Sequence, residues 1–185
     1  MTDLNYWYKK AIEASEQTGW LPEVILAQWQ VETDNFTSDN FKENNNLAGQ
    51  TWFEGSKYPK GTARPNNKGG YYINYPDAVA GYVDFINTSN RYSKVKTMQT
   101  AENQLEEIAR AGWANDKNYA DTLISVYNAN VREGIYFTDN NVTSVTEDNS
   151  SSVRNEIQNN IIVDYLNSIG AVSYTHLTLP TMAVV

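Results

Sequence analysis

Residues 21–33 read LPEVILAQWQVET, and their spacing decides both the fold and the first candidate for chemistry. Apolar side chains recur at i, i+3 and i+4, as on one face of a helix, at Leu21, Val24, Ile25 and Trp29. Gln28 lies between them, and the next residue on the same face is Glu32. The pattern therefore predicts a carboxyl group at the end of a stripe that faces the core.

A carboxyl group in that position has two interpretations. Burying a carboxylate without a partner is costly, so its pKa rises and it stays protonated, as a general acid near neutral pH requires. Alternatively, the helix frays at Thr33 and Glu32 is solvated. Spacing alone leaves both interpretations of Glu32 open.

The composition excludes several classes of function. The 185-residue chain has a net charge of −8 and lacks the cluster of Lys and Arg that a nucleic-acid surface needs. It has no cysteine and one histidine, His176, so we expect no thiol chemistry, no Ser-His-Asp triad and no histidine-rich metal site. The N-terminus shows no secretory signal pattern, and no run reaches the ~20 apolar residues of a membrane span.

The periodicity predicts a mainly α fold. Five amphipathic patterns predict helices that start near Leu4, Pro22, Asp77, Ala101 and Ala120. Residues 51–75 instead mix glycine, proline and aromatic residues, which predicts a loop and a β-hairpin whose clearest strand is 71–75. We therefore expect a helical body with a small β-hairpin lobe and a cleft between them.

The C-terminal third is predicted to be organised differently. Residues 1–137 are expected to form the main domain, and the polar residues 138–152 a linker. Residues 153–171 are amphipathic and predict the start of a truncated second module, for which wall binding is one candidate role. Residues 172–185 are expected to be a non-native tail, so His176 carries no functional weight.

Four motifs carry a resemblance to a known family. They are LAQWQVET (26–33), NNLAG (45–49), SNRY (89–92) and AGWANDKNYA (111–120). In this order they resemble the bacterial and phage N-acetylglucosaminidases of glycoside hydrolase family 73. The resemblance implies a lysozyme-like fold and hydrolysis of the β-1,4 glycosidic bond of peptidoglycan on the reducing side of N-acetylglucosamine.

The resemblance also implies roles for individual residues. Glu32 matches the proton donor of the family, and Tyr119 matches its active-site tyrosine, placed near the 2-acetamido group of the sugar. From the residues alone, a core aromatic at the start of the fifth helix is the favoured interpretation of Tyr119. Close relatives carry a glutamate where this chain has Lys68, so the second carboxylate of the family is in doubt. Glu54 is the best remaining candidate for it, and its alternative is a solvated loop residue.

Aromatic residues are the second group of candidates, because flat rings pack against sugar C–H surfaces while their polar tips bond hydroxyls. The chain has 13 tyrosines and 5 tryptophans, with several in the 52–75 loop. Trp113 either stacks on a sugar or simply packs. The predicted substrate-binding residues are Gln28, Asn46, Trp52, Tyr72, Tyr92 and Trp113.

These expectations leave three mechanisms open. The 2-acetamido oxygen acts as internal nucleophile, or Glu54 acts as base in an inverting reaction, or the site is crippled. The expected function is an endo-β-N-acetylglucosaminidase of the endolysin or autolysin type, without metal or cofactor. It would act as a monomer on peptidoglycan strands outside the cell, released from a phage-infected host or carried on a virion. A non-catalytic wall-glycan-binding module and a muramidase are the alternatives.

Overall fold

The computed structural model describes residues 2–65 and 68–136. Six helices lie in this part: α1 (Leu4–Thr18), α2 (Pro22–Glu32), α3 (Asp39–Asn44), α4 (Ala78–Thr88), α5 (Ala101–Arg110) and α6 (Tyr119–Arg132). Two short 3₁₀ turns, Asn90–Tyr92 and Val95–Thr97, connect α4 to α5. The predicted linker, second module and tail lie outside the described residues.

The helix boundaries follow from local chemistry. Asp3 caps α1 by accepting a hydrogen bond from the backbone N–H of Tyr6, at 3.0 Å. Gly19 ends α1 in the left-handed conformation, with φ of 73°. Pro22 opens α2 at a position where its missing N–H has no intrahelical partner. All five predicted helices are present, and α3 is an additional one.

Helix α2 is the centre of the body. Every side chain from Glu23 to Gln30 is buried, because α1, α5 and α6 pack around it. The predicted core-facing stripe is present, since Val24, Ile25 and Trp29 are fully buried and Leu21 is partly buried. The side chains between them are buried as well, as in a central helix surrounded by others.

A left-handed turn ends α2 directly after Glu32. Asp34, Asn35 and Phe36 have φ angles of 49°, 51° and 64°, a conformation that is unfavourable for residues with a Cβ. Thr33 holds the turn: its hydroxyl donates to the carbonyl of Trp29 at 2.6 Å and accepts from the Phe36 N–H at 2.8 Å. The helix does not fray, so the solvated interpretation of Glu32 was wrong.

The β lobe consists of β1 (Lys60–Ala63) and β2 (Tyr71–Ile73), an antiparallel pair with an irregular register. The predicted strand over 71–75 is present but ends at Ile73. Asn44, the last residue of α3, ties the lobe to the body. Its side-chain amide donates to the hydroxyl of Thr62 at 2.6 Å and accepts from the Thr62 N–H at 2.9 Å.

The structure thus confirms the predicted fold class, a mainly α body with a small β-hairpin lobe. Within the described ranges, no helix combines the length and apolar character needed to cross a membrane.

Candidate active site

Glu32 is the last residue of α2, and its carboxyl group is partly buried. The hydroxyl of Tyr119, the first residue of α6, donates to Glu32 Oε1 at 2.5 Å. The indole of Trp113 lies near enough to this carboxyl group to favour its ionised form. The structure therefore brings together three residues that lie as much as 87 positions apart in sequence.

Burial raises the pKa of Glu32, and this outweighs three opposing influences. The hydrogen bond from Tyr119, the nearby indole of Trp113 and the charge of Lys68 each favour the ionised form and lower the pKa. The net result is a carboxyl group that holds its proton to higher pH than an ordinary glutamate. A proton donor to a leaving-group oxygen needs this property.

Glu32→Gln is expected to raise the melting temperature by a few degrees at pH 7. Because burial raises the pKa of Glu32 in the folded protein, the ionised form destabilises the fold at pH values above that pKa. Below about pH 4.3, the ordinary pKa of glutamate, the side chain is protonated in both states and the gain should vanish. Thermal unfolding of both proteins between pH 3.5 and 7 measures this; a gain independent of pH would contradict the ionisation as its cause.

Tyr119 is 5% exposed, and burial followed by the charge of Glu32 raises its pKa far above the ordinary value. It therefore stays protonated and acts as a hydrogen-bond donor. The tyrosine is both a packed aromatic and a partner of Glu32, so the two interpretations of Tyr119 from sequence are compatible.

Gln28 precedes Glu32 by one helical turn and is fully buried. Its Oε1 accepts a hydrogen bond from the hydroxyl of Tyr82 at 2.6 Å. Its amide lies near enough to Tyr119 to lower the pKa of that hydroxyl, although Nε2 is without a well-formed hydrogen bond. The structure therefore places Gln28 behind Tyr119 as a positioning residue, and not on the surface of the groove where a substrate contact was predicted.

Asn46 is also fully buried, and its amide is used by the backbone. It donates to the carbonyls of Gln50 at 2.9 Å and Ile73 at 3.1 Å, and it accepts from the Gln50 N–H at 3.0 Å. Asn46 thus fixes the 46–50 loop to the β lobe. Asn46 is therefore buried, and its side chain is not exposed to the groove as the predicted direct contact with substrate would require.

The loop held by Asn46 brings Gly49 against the carboxyl group. Gly49 has a φ angle of 65°, and a Cβ at this position would lie 3.5 Å from Glu32 Oε2. Only glycine adopts this conformation without strain while leaving the carboxyl group accessible. Gly49 is a site residue that belongs to one of the four sequence motifs but was assigned no role from sequence.

Gly49→Ala is expected to lower the free energy of unfolding by about 1 kcal/mol and to reduce activity. The added methyl group makes the positive φ unfavourable and stands next to the oxygen of Glu32. Denaturant unfolding and wall lysis measure the two effects. Gly55→Ala is the control, because Gly55 also has a positive φ but a Cβ there would have no neighbour within 4 Å; equal losses of activity in both variants would contradict a role for Gly49 at the site.

A groove of about 280 Å³ runs beside this cluster. Tyr92 and Trp113 lie at 4.8 Å between ring centroids, and Phe85 contacts Trp113 edge-on at 5.6 Å. Such aromatic faces suit the C–H surfaces of a sugar ring. The groove is lined by Ala48, Gly49, Gln50, Thr51, Phe53, Ile73, Phe85, Tyr92 and Trp113.

Two aromatic lining residues, Phe53 and Phe85, were not among the predicted site residues. Phe53 is 62% exposed and directly follows Trp52 in the sequence. Of these two aromatic residues, Trp52 was predicted from sequence as the substrate-binding residue. Phe85 lies at the margin of the apolar stripe of α4. An aromatic residue at the edge of such a stripe is the sequence signal that could have identified it as a groove residue.

Three predicted residues lie in the β lobe outside this lining. The indole N–H of Trp52 donates to the carbonyl of Tyr58 at 3.2 Å, and Tyr72 lies under the guanidinium of Arg64. Glu54 is on an exposed turn and forms no ion pair or side-chain hydrogen bond with the other described residues.

Comparison with known proteins identifies the family of this chain. Residues 8–132 match the sequence model of the Glucosaminidase family, described as mannosyl-glycoprotein endo-β-N-acetylglucosaminidase. The peptidoglycan hydrolase FlgJ of Salmonella typhimurium is 30% identical over 128 residues, which are 61% of this chain and 40% of FlgJ. The chain thus spans less than half the length of this curated relative.

Two solved structures share the fold. The peptidoglycan hydrolase from Sphingomonas sp. A1 superposes with a TM-score of 0.62 at 22% identity, over 76% of this chain and 95% of that one. The glycoside hydrolase domain of Salmonella typhimurium FlgJ superposes with a TM-score of 0.60 at 22% identity, over 85% of this chain and 99% of that domain.

A partly buried carboxyl group with a raised pKa, beside an aromatic groove on a helical body with a β lobe, defines a glycoside hydrolase of lysozyme-like fold. The chain belongs to the endo-β-N-acetylglucosaminidase family, which confirms the resemblance to glycoside hydrolase family 73.

Proposed function

We propose that this chain hydrolyses the β-1,4 bond of peptidoglycan on the reducing side of N-acetylglucosamine, with Glu32 as the proton donor. The observation that carries the proposal is the partly buried Glu32, whose pKa is raised beside a groove of aromatic faces. Family membership and the relationship to peptidoglycan hydrolases support the choice of substrate.

In the proposed reaction, Glu32 donates its proton to the glycosidic oxygen as the C1–O bond breaks. The oxocarbenium-like transition state then needs negative charge on the other face of the sugar. Lys68, whose charge acts on Glu32, stands where close relatives carry a glutamate, and a lysine cannot supply that negative charge. The 2-acetamido oxygen of the substrate supplies the nucleophile in this proposal, and water opens the resulting cyclic intermediate.

Tyr119 completes the mechanism by orienting Glu32. When Glu32 is ionised after proton transfer, the short hydrogen bond from the Tyr119 hydroxyl stabilises the carboxylate. The carboxylate then accepts the proton of the water that hydrolyses the intermediate, which restores the acid for the next cycle.

Fragment analysis tests this function against its alternatives. Purified peptidoglycan, trimmed of peptides, is incubated with the protein, and the soluble products are identified by mass. Reducing-end N-acetylglucosamine supports the proposal. Reducing-end muramic acid would identify a muramidase, and binding without fragments would identify a non-catalytic wall-glycan module.

We expect neither Lys68→Glu nor Glu54→Gln to change the rate on trimmed glycan by more than about threefold, because the acetamido group replaces the second carboxylate. Initial rates, normalised to folded fraction, measure this. A steep gain in Lys68→Glu would show that the native site is crippled. A collapse in Glu54→Gln with intact binding would make Glu54 the base of an inverting reaction.

We also propose that the protein acts on the wall from outside the cytoplasm, as a monomer. An autolysin, a tail-associated lysin or a phage endolysin would each fit this activity. Lysis of walls added externally, together with the mass of the protein in solution by light scattering, tests the location of action and the monomeric state.

A further inference from the structure

The β lobe carries positive charge on an acidic protein. Residues 55–76 contain four cationic residues and no acidic one, whereas the whole chain has 14 Lys and Arg against 22 Asp and Glu. Lys57 is neutralised by Asp84, at 2.6 Å. The other three cations, Lys60, Arg64 and Lys68, form no ion pair with any carboxylate in residues 2–65 and 68–136.

Aromatic rings hold two of these cations in place. Lys60 Nζ lies 4.8 Å from the ring centroid of Trp52 and 4.6 Å from that of Tyr71. The guanidinium of Arg64 lies 5.9 Å from the ring centroid of Tyr72. Ring faces attract cations without neutralising them, so both charges stay available to an anion.

The cationic lobe adjoins the catalytic groove. Thr51, Phe53 and Ile73 from the lobe region line the groove, and Lys60 is paired with Ile73 across the hairpin. Lys68 is near enough to Glu32 for its charge to act on that carboxyl group. Lys60 and Lys68 therefore lie next to the groove, and Arg64 lies on the same hairpin, over the ring of Tyr72.

A cation beside the groove is unfavourable for the proposed reaction taken alone. Positive charge develops on the sugar in the transition state, and the charge of Lys68, an exposed side chain screened by solvent, opposes it weakly, within the threefold limit expected for Lys68→Glu. An anion of the substrate bound to the lobe would cancel this effect. The uncharged disaccharide backbone of a trimmed glycan offers no such group, but the peptide substituents of peptidoglycan carry carboxylates.

We propose that Lys60, Arg64 and Lys68 bind the carboxylates of the peptide substituents on the strand being cleaved, so that the enzyme prefers peptide-bearing glycan. This inference rests on the proposed function. Peptides joined to a strand in the groove are tethered within reach of the lobe, whereas a separate phosphate-bearing wall polymer has no such tether. The chemistry of the site thus favours the carboxylates over a phosphate polymer.

The test compares two double variants that remove the same charges. Lys60→Gln with Arg64→Gln removes one lysine and one arginine from the lobe. Lys9→Gln with Arg132→Gln removes the same pair from exposed positions on α1 and α6. KM and kcat are measured on peptide-bearing glycan with free carboxylates, on the same glycan with amidated carboxylates, and on trimmed glycan, all freed of phosphate polymers.

The lobe variant is expected to raise KM about three- to tenfold on glycan with free carboxylates, the effect of losing two exposed charge pairs. Its KM on amidated and trimmed glycan should change less than twofold, and the control variant should match wild type throughout. An equal rise on all three substrates, or no rise on any, would overturn the inference. A loss of binding confined to walls that retain their phosphate polymer would assign the lobe to that polymer.

Failure of the proposed function is distinguishable from failure of this inference. If wild type releases no fragments from any glycan, the hydrolase proposal fails. Sedimentation of Glu32→Gln protein with insoluble walls, with and without the two lobe substitutions, then still measures binding. Binding that is unchanged by the lobe substitutions or by carboxylate amidation would overturn the inference by itself.

Discussion

Glu32→Gln is expected to lower the rate of wall lysis by about 10² to 10⁴-fold, the usual contribution of general acid catalysis. The amide keeps the size of the side chain and can still accept the hydrogen bond from Tyr119, but it has no proton to donate. Turbidity loss of purified walls measures the rate, and sedimentation with the walls measures binding, which should persist.

Glu16→Gln is the matched control, because it makes the same chemical change at an exposed position of α1. It should match wild type in both measurements. Lysis by Glu32→Gln within about threefold of wild type would remove Glu32 from the mechanism, since that loss is far below what general acid catalysis contributes.

Tyr119→Phe is expected to reduce the rate by about 10²-fold, the typical cost of one hydrogen-bond donor to a charge formed during the reaction. The ring remains to fill the core position, but Glu32 loses its donor. Because that hydrogen bond lowers the pKa of Glu32, removing it should also move the basic limb of the pH–rate profile to higher pH.

The pH profile separates catalysis from packing. A merely structural role for Tyr119 would lower activity without moving the basic limb. Tyr6→Phe is the control, since the hydroxyl of Tyr6 is on a ring that is 50% exposed on α1. A Tyr119→Phe variant with a wild-type rate and an unmoved profile would exclude Tyr119 from the site.

The helices could be predicted because their signals are local. Asp3, Gly19 and Pro22 act within one turn of the helix end that they define. Helix α3 was missed because its six residues, Asp39–Asn44, are too few to show a periodic pattern. The left-handed turn at 34–36 could not be predicted either, since Phe36 has no intrinsic preference for that conformation.

The depth of burial was the main limit in predicting the site. Gln28 and Asn46 belong to motifs that surround Glu32, but sequence does not reveal whether a polar side chain faces the groove or supports it from behind. Tyr92 and Trp113 line the groove as predicted, and Phe85 was missed. The family resemblance implied that Glu32 and Tyr119 both belong to the site, but it did not predict the hydrogen bond between them, and spacing cannot show that residues on different helices are in contact.

The left-handed turn after Glu32 also bears on when the catalytic geometry is established. Phe36 is anchored by stacking on Trp7, with ring centroids 4.4 Å apart and planes at 8°. Packing in the core thus maintains a backbone conformation that would otherwise relax and let α2 continue past Glu32. The orientation of the carboxyl group is consequently set when the protein folds, before any glycan enters the groove. The free energy needed to orient the Glu32 carboxyl group is therefore supplied by folding. The binding of substrate does not have to supply it.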